Sequence, residues 1–198
     1  MSKAKEIEQQ LARQFVATDW PLFKRMADAN LSEAAHLRKR DMRVTSVSPL
    51  LARNVRKRLL IGLGTELLLK ALFLKSGYAI NLSIGKGAKP FPTKFQDVVD
   101  VPLLSKTATF DQCLTHLDDV LALQEEQQAT EGLKIAKVFR NKEAHSVIDK
   151  HPFDAETYRM IELSLVAVYR HGFSEELVVT IAMTKGDKAV WKIKRIDQ

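Results

Sequence analysis

SPLLARNVRKRLLIGLGTELLLKALFLKSG, Ser48 to Gly77, contains the longest apolar stretch of the chain in a sequence made for one long helix. Ser48 supplies a capping hydroxyl, and Pro49 takes the first helical position, where a missing N–H costs nothing. From there to Lys75 only Gly62 and Gly64 interrupt good helix formers, and Gly77 stands just past the end, where a C-terminal cap wants glycine. The second half, LLLKALFL, is apolar on nearly every side, which predicts the central, buried helix of a bundle. The two glycines either weaken that helix or let a neighbouring backbone come close, and the sequence does not choose between these.

Toward the N-terminus, Ile7, Leu11 and Phe15 recur at helical spacing within residues 3–16, an amphipathic opening helix. Trp20 and Pro21 restart the chain as a helix to about Ala29, and Ser32 caps a further short helix over residues 33–40. Toward the C-terminus, residues 78–109 hold Gly85, Gly87, Pro90, Pro92 and Pro102 and read as a long irregular connection. Its GKGAKP run lacks the P-loop spacing and reads as a flexible basic loop. Residues 110–126 form a helix with a leucine-rich core face that includes Cys113 as a small core residue. Another helix spans residues 130–148, and Asp154 caps a last one that reaches His171 and closes at Gly172. Residues 177–184 and 189–196 flank Lys185-Gly186-Asp187-Lys188, a β-hairpin signature. The fold class is therefore mainly α. One domain covers residues 1–198, with a helical core (48–171), an N-terminal helical extension (1–47) and a C-terminal β-hairpin (177–196).

A chain of 198 residues with 45% hydrophobic and 28% charged residues reads as globular. The longest apolar stretch, residues 59–74, is broken by Glu66 and Lys70 and falls short of the ~20 residues that cross a bilayer, so no membrane is expected. Glu6 and Glu8 occupy the place of a signal peptide's apolar run, and one cysteine suits a reducing compartment, so the expected location is cytoplasmic. Neither zinc spacing, a Ser-His-Asp set nor a dinucleotide fingerprint is recognisable, so no metal and no cofactor are expected. The net charge of +7 is concentrated. Arg38, Lys39, Arg40, Arg43, Arg53, Arg56, Lys57 and Arg58 lie in one segment with a single acid, Asp41, and carry a charge equal to the whole net value. A concentrated positive segment is the footprint of a polyanion partner, and these eight residues are the candidate RNA contacts.

The segment KVFRNKEAHSV, residues 137–147, carries the candidate chemistry. At ~100° per residue Arg140 falls in the apolar sector defined by Leu133, Ala136, Ala144 and Val147, while Asn141 and His145 share a flank. A guanidinium on that side needs a carboxylate, and Glu143 and Glu66 are the candidates. Glu66 has an alternative of its own, since Lys70 lies one turn on and can pair with it. Arginine with histidine and no acidic cluster suits metal-free phosphodiester chemistry. Histidine moves protons near neutrality, and arginine stabilises the charge of the transition state. One histidine does not easily serve as base and acid together, whereas two copies across a two-fold axis can.

Arg140-Asn141-Lys142-Glu143-Ala144-His145 resembles the hallmark of the HEPN superfamily, an arginine, four to six residues and a histidine. GLGTELLLKALFLKSGY, residues 62–78, looks like that family's central helix, with its glutamate and lysine in an apolar run. The resemblance covers residues 48–171. It implies a HEPN-like up-and-down helical bundle with extra N-terminal helices, a homodimer with a composite cleft, and a metal-independent endoribonuclease acting in a toxin, defence or stress role. Arg140 and His145 would then be catalytic and Asn141 supporting, with RNA as substrate and an antitoxin or regulatory protein as a further partner. One toxin branch carries a tyrosine two residues after the histidine. Here that position is Val147, which speaks against that branch's mode of regulation. A catalytically silent HEPN-like module that binds RNA or nucleotide, and a helical adaptor for an acidic protein, are the competing expectations.

Overall fold

The computed structural model describes residues 2–11, 15–40, 47–82, 90–97, 107–121, 127–143, 153, 155–180 and 190–195. The elements are α1 (Lys3–Leu11), α2 (Trp20–Arg40), α3 (Val47–Lys75), β1 (Tyr78–Ala79), β2 (Thr93–Lys94), α4 (Phe110–Thr115), α5 (Gln127–Glu143), α6 (Ala155–Ala167), β3 (Glu175–Thr180) and β4 (Val190–Arg195). The protein is mainly helical, with β1–β2 and β3–β4 as small antiparallel pairs. No helix among the described residues is long and apolar enough to cross a membrane.

The centre is α3. Leu68, Leu69, Ala71, Leu72, Phe73 and Leu74 are all buried, as an all-round apolar sequence demands. It packs against α2 on one side and α5 on another, and α6 covers α5. Both α3 glycines mark close approaches. A Cβ on Gly62 would sit 2.5 Å from Arg140 Cβ on α5, and one on Gly64 would sit 2.8 Å from Leu31 Cγ on α2. Past the end of α3, Gly77 takes the left-handed backbone at φ 83°, the conformation expected of a glycine cap.

Several expectations need correction. Phe15 and Val16, expected in the opening helix, lie outside any helix, and Phe15 N donates to Asn81 Oδ1 at 2.8 Å. The central helix begins at Val47, so Ser48 and Pro49 sit within its first turn instead of capping it. The chain runs through Asn30 and Ser32 as one helix, Trp20–Arg40, instead of two. Ala27, Leu31, Ala34 and Ala35 are buried in unbroken helical spacing. Asn30 meanwhile donates its side-chain amide to Met26 O at 2.7 Å, so its polar group finds a partner without ending the helix. The helix expected over residues 110–126 stops at Thr115, and Leu117–Asp119 continues as a 3-10 turn that still buries Leu117. Gly172 does not close the last helix by a left-handed turn. It lies in a π-helical turn, Val168–Gly172, where a Cβ would press on Leu72 Cδ1 at 2.8 Å, and Ser174 takes the left-handed backbone at φ 55°.

β3 and β4 pair from Glu175↔Arg195 to Thr180↔Val190. The expected tip of this hairpin lies outside the described residues, as do the GKGAKP loop through Lys89 and the expected cap Asp154. The hairpin is tied to the bundle. Lys24 of α2 bridges Glu175 at 2.7 Å and Asp28 at 3.0 Å, and the Tyr169 hydroxyl donates to Asp28.

Candidate functional site

Glu66 and Lys70 are the charged interruptions in the apolar half of α3, and one helical turn puts them side by side. Both are largely buried, so each needs a partner. Lys70 Nζ donates to Glu66 Oε1 at 2.8 Å and to Thr107 Oγ1 at 3.1 Å. The other carboxylate oxygen, Oε2, accepts from Arg140 Nε at 2.9 Å. The two partners that the sequence offered for Glu66 are thus both present, one on each oxygen. Gly62 makes the second one reachable, because its missing side chain lets α5 come close one turn before Glu66.

Arg140 is held at Nε and open at its far end. Its side chain is 42% exposed against 7% for Glu66, and Nη1 makes only a long contact of 3.4 Å to Asn141 Oδ1. Arg140 and Asn141 line a cleft of about 430 Å³ together with Glu66, Lys70, Thr107, Thr109 and Asp111. Asp111 is held by Lys137 of α5 across the start of α4. The opposite wall is fixed by a capping box: Thr109 Oγ1 accepts from Gln112 N at 3.2 Å, and Gln112 Oε1 accepts from Thr109 N at 2.9 Å. One carboxylate between two cations leaves the inner wall with net positive charge, which favours an anion at the Arg140 fork.

His145 lies outside the described residues, as does the Glu143 side chain. Among the basic residues, Arg56 is exposed and bridges Glu33 at 3.2 Å, and Arg53 is partly exposed. Two members of the cluster point inward, which corrects their reading as RNA contacts. Lys57 is 6% exposed, bonded to Asn54 Oδ1 at 3.3 Å and set over the Tyr158 ring; Arg58 is 0% exposed and lies over the Phe153 ring. A helix that packs on two sides has to bury some of a continuous basic run, and the aliphatic stems make Lys and Arg tolerable there. The side chains of Arg38, Lys39 and Arg40, and all of Arg43, lie outside the described residues.

Thr107, Thr109 and Asp111 were not anticipated as parts of a site. The signal was the Thr-x-x-Gln spacing of Thr109 and Gln112, which marks a helix start and hence a fixed loop end. Among the described residues no group of three or more His, Cys, Asp or Glu could hold a metal ion. Comparison of the chain with family models, curated proteins and solved structures gave no match.

Proposed function

We propose that this protein is a HEPN-type, metal-independent endoribonuclease that works as a homodimer, with Arg140 and His145 as its catalytic residues. One observation carries the reading: Arg140 is anchored through Nε to buried Glu66 on the wall of a cleft while its terminal nitrogens stay accessible. That is the arrangement phosphodiester recognition needs, a fixed guanidinium with its fork unspent. The HEPN-like bundle and the Arg-x4-His spacing belong to the same reading.

In the proposed reaction the 2′-oxygen of a ribose attacks the adjacent phosphorus, the P–O5′ bond breaks, and a 2′,3′-cyclic phosphate forms. His145 of one copy accepts the 2′-hydroxyl proton and His145 of the second copy supplies a proton to the departing 5′-oxygen. Arg140 stabilises the charge that builds on the phosphoryl oxygens. Arg53 and Arg56 contribute attraction for the backbone, and Lys57 and Arg58 are withdrawn from that role by burial. The test is incubation with single-stranded RNA and DNA in the presence of EDTA, with end-group analysis. RNA should be cut to 2′,3′-cyclic phosphate and 5′-hydroxyl ends, and DNA spared. Salt-sensitive RNA binding without any cleavage would point to the silent module instead.

A further inference from the structure

A carboxylate with both oxygens free normally takes arginine as a fork, through two parallel N–H···O bonds. Glu66 does not. Its Oε1 is filled by Lys70 Nζ at 2.8 Å, and Arg140 reaches only Oε2, through Nε, at 2.9 Å. Lys70 is itself fixed in place, with a side chain 10% exposed and a second bond to Thr107 Oγ1 at 3.1 Å. Among the described residues Arg140 Nη2 has no partner, and Nη1 has only the long contact to Asn141.

We infer that Lys70 is a positioning residue for Arg140: by filling Glu66 Oε1 it prevents the guanidinium from closing on the carboxylate as a fork and keeps the Nη groups off Glu66, with only the long Nη1 contact to Asn141 to give up to a phosphate in the cleft. The inference rests on the proposed function for its phosphate, although the geometry it describes is testable without RNA. Lys70 also carries the loop end, because the same ammonium holds Thr107. The wall of the cleft and the orientation of Arg140 are therefore set by one side chain. Without that ammonium, Oε1 is buried and lacks its donor, and the Arg140 guanidinium, already bonded to the other oxygen of the same carboxylate, can turn to satisfy it.

The experiment has two arms. In the first, nitrogen-15 NMR of the Arg140 guanidinium reports how it is held. The wild-type protein should show a protected Nε–H with freely rotating, unresolved Nη groups. Lys70→Met, which keeps the volume of the stem, should slow that rotation and resolve separate Nη signals. Resolved, hindered Nη signals already in the wild type overturn the inference even if the variant does not fold. Unchanged signals in a folded Lys70→Met overturn it equally. In the second arm, affinity for a mixed-sequence RNA oligonucleotide should fall roughly tenfold in Lys70→Met, the scale of one charged hydrogen bond. Lys137→Met removes a nearby positive charge without touching Glu66 and should cost clearly less. Equal losses in the two variants reduce Lys70 to a mere charge and sink the inference. A wild type that binds no RNA at all contradicts the proposed function, while the guanidinium signals still decide the positioning role.

Discussion

Glu66 sits in a nearly dry place between two cations, 7% exposed, and its charge is matched by Lys70 at 2.8 Å and Arg140 at 2.9 Å. Breaking a buried pair leaves the remaining charge uncompensated, which typically costs ~3 kcal/mol or more. Glu66→Ala should therefore lower the urea midpoint by that order with the slope unchanged. A loss below ~1 kcal/mol would place the pair among solvent-screened surface bridges. The basic run makes the complementary point. Arg53→Glu with Arg56→Glu should leave the melting temperature nearly as it was, weaken RNA binding and flatten its salt dependence. Arg58→Glu should instead unfold the protein at moderate temperature, because it buries an acid where a guanidinium lies over the Phe153 ring. If Arg58→Glu melts like the wild type, the inward placement of this residue is wrong.

At the scale of elements, the close approach of α3 and α5 rests on Gly62. A Cβ there meets the Arg140 backbone nitrogen at 2.7 Å and Ala136 O at 2.8 Å, and backbone atoms cannot rotate away. Gly62→Ala should cost about 1–3 kcal/mol through overpacking, despite the better helix propensity of alanine, and should weaken the Arg140–Glu66 contact as α5 moves out. A stabilised Gly62→Ala would show that the helices have room between them. This is also where sequence reading reached its limit. The all-round burial of α3 and the Gly77 cap follow from local chemistry and were legible in the sequence, whereas the helix begins at Val47 and takes Ser48 and Pro49 into its first turn instead of starting from a Ser48 cap. Gly62 was legible only as an alternative, because which neighbour comes close is a tertiary fact. Ser32 misled for the same reason: its local preference for a cap lost to a continuous buried face. In the site, Arg140 and Glu66 announced themselves as charges in apolar sectors. Thr107 and Asp111 did not: Thr107 lies outside any helix and carries no periodicity, and Asp111 is an ordinary acid in the first turn of α4 whose neighbours are a tertiary fact.

Across the whole molecule, two buried acids tie stability to alkaline pH. Burial pushes the Cys113 thiol up to about 12 from 9.0, and burial together with the Asp28 carboxylate holds the Tyr169 hydroxyl far above its ordinary value of 10.0. Both groups lose their protons more readily when unfolded. Their contribution is thus fully present below pH ~9 and is lost as pH rises through the unfolded values toward the folded ones. Cys113 alone accounts for roughly 4 kcal/mol across that window, and Cys113→Ala should flatten the decline measured by denaturant titration at successive pH values. A wild type equally stable at both ends of that window would contradict the burial of these groups. Whether the cleft cuts RNA is decided by one comparison. Wild type, Arg140→Ala and His145→Ala, each shown to be folded by circular dichroism, are incubated with the same single-stranded RNA in EDTA. The wild type should cut it. Both variants should fail to cut, with RNA binding largely kept in His145→Ala, whose imidazole moves protons and does little anchoring. Cleavage that requires magnesium, or that persists undiminished in His145→Ala, would contradict the account.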